Sequence, residues 1–133
     1  MKYSRATDYA LHTMMFLVQS TPSEAISVLK LAEKQQVSPT YLSKILTKLV
    51  KAGMVESLPG MNGGYKLKSN WEEISFLDVI QAIEGTASLF DCSYDHGPDC
   101  PIQKVVVEAE ARMEQYLKNR TLADVVKEMQ NGS

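Results

Sequence analysis

The chain has 133 residues, 44% of them hydrophobic and 23% charged, which describes one ordinary globular domain and excludes disorder, collagen-like repeats and low complexity. Two cysteines are too few for a secreted disulfide scaffold and read as intracellular thiols. The net charge is −2, but residues 1–70 hold nine Lys/Arg against four Asp/Glu and residues 71–133 hold five against twelve, so a +5 half that suits a polyanion joins a −7 half that does not.

The apolar run Tyr9–Val18 is preceded by Asp8 and broken by His12-Thr13, so it is not a secretory core, and no run reaches the roughly 18 apolar residues of a membrane span. A cytoplasmic protein is expected. Ala10, Met14, Leu17 and Val18, with Leu11 and Met15 beside them, predict a helix over 7–19 with a stripe wide enough for more than one neighbour. Ser27 caps a second short helix with Val28, Leu31 and Ala32 inside. Ser38-Pro39 then places a capping hydroxyl before a first-turn proline. Leu42, Ile45, Leu46, Leu49 and Val50 give that third helix its inner face, and Gly53 stops it.

Met54–Leu58 and Tyr65–Leu67 predict two short strands around the turn-rich segment 59–64. Ser75 opens a fourth helix containing Leu77, Val79, Ile80 and Ile83, and residues 86–99 show no periodicity. Asp99-Cys100-Pro101 begins a long helix to about Asn119, and Thr121 begins a last one over Leu122–Met129. The expected fold is mostly α with a small β-hairpin: a winged helix-turn-helix over 1–85, a sensor or linker loop over 86–99, and a dimerisation helix with a short terminal helix over 100–133.

The outer face of the third helix carries Ser38, Thr40, Tyr41, Ser43, Lys44, Thr47, Lys48 and Lys51, with no acid between Val37 and Val55. Hydroxyls and an aromatic near a helix start reach base edges and phosphates, and lysines behind them neutralise phosphates. The hairpin tip Gly60-Met61-Asn62-Gly63-Gly64, followed by Lys66 and Lys68, is the candidate wing, since glycines let backbone N–H groups approach a phosphate. A nucleotide-binding phosphate loop is excluded because no helix and no Gly-Lys-Ser/Thr ending follow. His12 and His96 lie far apart with no nucleophile motif near either, so no enzyme is expected.

Ala6-Thr7-Asp8-Tyr9-Ala10-Leu11, Ser38-Pro39-Thr40-Tyr41-Leu42, Gly63-Gly64-Tyr65, 78–85 (DVIQAIEG) and Thr121-Leu122-Ala123-Asp124-Val125 together resemble the Rrf2 family of bacterial transcription regulators, from Met1 to about Met129. The resemblance implies a homodimer joined through helix 100–119, with Ile102, Val105, Val106, Ala109, Met113, Tyr116 and Leu117 at the interface, that binds double-stranded DNA at a palindromic operator as a repressor. The sequence departs from the family at three places. Pro59 stands where the wing usually opens with an arginine, and Gln36 stands where the helix-turn-helix turn usually has glycine; a side chain forced to positive φ there costs about 1 kcal/mol. Cluster-binding members carry three cysteines before the dimer helix, whereas this chain has Cys92 and Cys100 alone, and Gln103 occupies the position where some members place histidine.

Several sensing schemes remain open at this level. Cys92 and Cys100 form a reversible disulfide or expose one oxidisable thiol. Alternatively, with Asp8 and His96 they hold a mixed-ligand iron–sulfur cluster, two thiolates being short of the usual four protein ligands. Otherwise the cysteines are inert, no cofactor is required, and a small-molecule effector sits in a pocket between helix 76–84 and the dimer helix. A winged helix converted to a protein-interaction module is the rival from another class.

Overall fold

The computed structural model describes residues 3–20, 24–86 and 100–132. The order is α1 (Arg5–Gln19), α2 (Val28–Gln35), α3 (Pro39–Lys51), β1 (Val55–Leu58), β2 (Gly64–Leu67), a 3-10 turn (Trp71–Glu73), α4 (Phe76–Glu84), α5 (Pro101–Lys118) and α6 (Leu122–Asn131). Helices and hairpin fall where periodicity and caps put them; α1 begins two residues earlier, α6 ends two later, and the 3-10 turn is additional.

Serine and threonine caps set the helix starts. Ser27 Oγ accepts from the Lys30 N–H at 3.2 Å, Ser38 Oγ from Tyr41 at 3.0 Å, and Thr121 Oγ1 from Asp124 at 3.1 Å. Ser75 and Asp78 close a reciprocal capping box at the head of α4. Gln36, after α2, is the one described non-glycine residue at positive φ (53°), and its N–H closes onto Ala32 and Glu33. The turn therefore keeps the left-handed geometry that glycine would adopt more cheaply.

α1 runs through the middle of the fold. Ala10, Met14, Leu17, Leu31, Leu42, Leu46, Leu49, Val55, Val79, Leu122 and Val126 share one hydrophobic cluster drawn from α1 to α4, the hairpin and α6. Buried Thr13 accepts a hydrogen bond from Gln35 Nε2 at 2.7 Å, which satisfies the polar group and ties the end of α2 to α1. α6 packs on α1, so the last helix completes the core of the helix-turn-helix. Its start is tied to that of α4 by two backbone bonds, Phe76 N to Arg120 O at 2.8 Å and Leu122 N to Ile74 O at 3.2 Å.

β1 and β2 pair antiparallel with Val55 opposite Leu67 and Leu58 opposite Gly64. Ile26, just before α2, adds a third lane by exchanging two backbone bonds with Tyr65 at 2.8 and 2.9 Å. Gly64 (φ 140°) permits this, because a Cβ there would strike the Ile26 carbonyl. The hairpin is therefore anchored to the helix-turn-helix one rung below its tip, at the Ser57–Tyr65 pair.

The apolar stripe of α5 is covered along only one edge. Val106, Met113 and Leu117 are half-buried on the face that packs on α4, and Glu110 is buried on that same side. Ile102, Val105, Ala109 and Tyr116 are exposed along the adjoining edge of the same stripe. All seven residues lie within one arc of about 120°, so α4 covers one edge of a single stripe and leaves the adjoining edge open.

Candidate nucleic-acid interface

The outer face of α3 is a shallow groove lined by Val28, Pro39, Thr40, Ser43, Lys44 and Thr47. Its floor combines methyl and methylene groups with hydroxyls and one ammonium, a surface that can meet thymine methyls, base-edge acceptors and phosphate together. Val28 was not among the residues expected from sequence; it comes from the neighbouring helix and becomes visible only when α2 and α3 are placed side by side.

The expected contact residues divide by what their polar atoms already do. The hydroxyl of Ser38 is occupied by capping, and Thr47 donates to the Ser43 carbonyl at 2.9 Å. Thr40, Lys44 and Lys51 are exposed and Ser43 is half-buried in the groove. Tyr41 packs edge-on against Tyr9 of α1, ring centres 5.8 Å apart, which fixes the ring at the start of α3.

Lys48 lies near a second feature that the sequence did not announce. The Glu84 carboxylate, at the end of α4, accepts from the Ser4 N–H at 2.7 Å, from Ser4 Oγ at 2.9 Å and from Thr7 Oγ1 at 2.5 Å. It caps α1 from another helix, where the amino end of the helix favours negative charge. The Thr7 and Ser4 hydrogen bonds, joined by the field of Lys48, hold its pKa below the usual carboxylate value. Glu84 thus ties the end of α4 to the start of α1.

Gly60 and Asn62 stand exposed at the hairpin tip, and Gly63 is half-buried where a Cβ would collide with the Leu58 and Pro59 carbonyls. Lys66 Nζ lies 3.2 Å and Lys68 Nζ 3.9 Å from the Glu56 carboxylate on the opposite strand.

Between α4 and α5 lies a cleft of about 180 Å³ with Leu77, Ile80 and Met113 in its walls, bordered by Glu84, Glu110 and Glu114. Tyr3 closes one side, its hydroxyl 3.9 Å from the Met113 sulfur. Burial, then the charges of Glu114, Glu84 and Glu110, push the phenol pKa up. This is the place where an effector pocket was expected.

Cys100 occupies the cap position of α5 and is 3% exposed, so the exposed, oxidisable thiol expected from sequence is not this residue. Cys92 and His96 lie outside the described residues. Asp8, a candidate metal ligand by sequence, sits on the surface of α1 with its carboxylate 3.3 Å from His12 Nδ1. No group of three or more His, Cys, Asp or Glu side chains that could hold a metal ion occurs among the described residues. No described helix is long and apolar enough to cross a membrane.

Comparison with known proteins agrees with this architecture. The model of the Rrf2 family, described as an iron-dependent transcriptional regulator, matches residues 3–128. The HTH-type transcriptional regulator NsrR of Bacillus subtilis is 30% identical, covering 96% of this chain and 91% of its own. The structure of CymR, the global cysteine regulator of B. subtilis, superposes with a TM-score of 0.82 at 27% identity, covering 96% of this chain and 97% of that one. IscR of T. potens superposes at 0.81 with 30% identity, covering all of this chain and 91% of its own. The donor set here does not fit a four-cysteine iron–sulfur cluster: the chain contains two cysteines, and the described one is buried at a helix cap. On the fold, the outer face of α3 and a match over nearly its whole length, the chain belongs to the Rrf2 family and is a DNA-binding transcription regulator with a winged helix-turn-helix.

Proposed function

We propose that the protein is a homodimeric repressor that grips a palindromic operator with two copies of α3 and of the wing, joined through the exposed face of α5. The observation that carries the reading is the groove on α3, where Thr40, Ser43 and Lys44 stand beside Val28 with no carboxylate among the lining residues. Lys44, Lys48 and Lys51 supply phosphate neutralisation, Thr40 and Ser43 supply base contacts, and Tyr41 acts by packing on Tyr9. The rival reading as a protein-interaction module has no use for that basic, acid-free face.

The test is binding to duplex DNA selected from a random pool by the purified protein. Lys44→Ala and Lys48→Ala should each weaken binding across sequences and lower the salt slope by about one unit for each phosphate no longer neutralised. Thr40→Ala or Ser43→Ala should change the preferred sequence instead. A Lys44/Lys48 double alanine variant that binds as tightly as the parent at two salt concentrations refutes the placement of α3 on DNA.

On the signal side we infer that any thiol response begins at Cys92, because Cys100 is buried. Operator affinity of the parent, Cys92→Ser and Cys100→Ser with and without peroxide, measured alongside iron content after anaerobic expression, tests this. Affinity unchanged by peroxide and an absence of iron in every sample would shift the sensing role to the α4–α5 cleft.

A further inference from the structure

We propose that the wing enters the minor groove as an apolar wedge led by Met61, so that it reads the deformability of one base step instead of supplying a cation. The inference rests on the DNA-binding reading above and adds a specificity-determining residue to it. Three independent observations converge on this residue.

The first is exposure. Met61 is 101% exposed, the most solvent-accessible of the large apolar side chains described, and it stands at the extreme tip of the hairpin. The second is charge. No ionisable residue lies between Leu58 and Tyr65, and the two lysines behind the tip, Lys66 and Lys68, both face Glu56. The tip therefore has no cation of its own to place against a phosphate or in a negatively charged groove. The third is the closure of the turn. Gly60 sits at φ 96°, the Gly63 N–H closes onto the Gly60 carbonyl at 3.1 Å, and Gly63 packs so tightly against Leu58 and Pro59 that a Cβ does not fit. One rung below the turn, Tyr65 is held by two backbone bonds to Ile26. Met61 is thus presented by a turn that closes on itself and is held at Tyr65, which reduces the backbone ordering that insertion requires.

An apolar side chain pushed into the minor groove partly unstacks a base step and kinks the duplex, which is cheapest at the flexible TA and CA/TG steps. The long, polarisable thioether adapts to such a gap. Asn62, exposed next to it, carries amide donors suited to the acceptors on the minor-groove edge of A·T pairs. An apolar insertion of this kind releases no counterions, so its contribution to affinity does not depend on salt.

The experiment uses the full chain and the DNA selected as above, with Met61→Ala, Met61→Arg and Lys44→Ala compared at several salt concentrations. Met61→Ala should weaken binding about tenfold at every salt with an unchanged slope, whereas Met61→Arg should steepen the slope by about one unit. Replacing the TA or CA/TG step in the wing footprint by AA should weaken the parent several-fold and leave Met61→Ala nearly unaffected. If Met61→Ala binds like the parent and ignores the step while Lys44→Ala is weakened, the wedge is refuted and the recognition face stands. If Lys44→Ala is unaffected too, the placement of the recognition face falls with it.

Discussion

Replacing Val105 by Asp should separate assembly from folding. Val105 is 69% exposed in the single chain, and Ile102, two-thirds exposed, lies one turn before it on the same side of α5. Complete burial of a valine is worth at least about 1.5 kcal/mol, so covering the remaining surface contributes about 1 kcal/mol per protomer, counted twice across a two-fold axis. An aspartate there loses that stabilisation and desolvates a carboxylate without a partner, at a further cost of a few kcal/mol. The dimer should weaken by at least about 4 kcal/mol, on the order of a thousandfold in dissociation constant. Sedimentation equilibrium at micromolar concentration should find a monomer, and its thermal melt by circular dichroism should remain cooperative. Val106→Asp, on the face packed against α4, should instead unfold the chain. Two results would refute the division of the α5 stripe into a covered and an open edge: a Val105→Asp dimer as tight as the parent, or unfolding as complete as that of Val106→Asp.

Glu84→Gln should cost about 1 kcal/mol, the value of a helix cap, and lower the melting temperature by roughly 3–5 °C. Because the folded-state pKa of Glu84 is depressed, its contribution is complete above the unfolded carboxylate value and is lost as pH falls through the lower folded value. Urea midpoints of parent and variant should therefore differ at about pH 7 and converge in acid; a difference independent of pH would exclude the carboxylate as the cause. Gln36→Gly relieves a left-handed residue at the turn between α2 and α3 and should raise stability by about 0.5–1 kcal/mol, the steric relief exceeding the entropy that glycine adds to the unfolded chain. Calorimetry showing a lower melting temperature for Gln36→Gly would mean that the Gln36 side chain stabilises this turn.

Local chemistry was readable from the sequence. Ser27, Ser38, Ser75 and Thr121 each cap the helix expected of them because a cap involves only three or four consecutive residues. Arrangements made across distant segments were not. The Glu84 cap of α1 joins residues about eighty positions apart, and no helical period marks it. Glu110 carries no local signal for burial, yet the packing of α5 on α4 turns it inward. Ile26 belongs to no alternating run, so its bridge to Tyr65 had no signature beyond the glycine at position 64 that makes room for it. At the interface, residue types on α3 were readable from helical spacing, whereas the occupation of Ser38 and Thr47 by backbone partners and the arrival of Val28 from α2 were not.

The packing of α6 on α1 has a consequence for the order of events in synthesis. Leu122 and Val126 complete the cluster that holds α3 in place, so the DNA-binding half lacks part of its core until the last helix has left the ribosome. α5 is translated before that point. In the proposed dimer, a nascent chain thus finishes its recognition surface only after the helix that pairs it with a second copy has been made, so a chain able to bind DNA already carries its means of pairing.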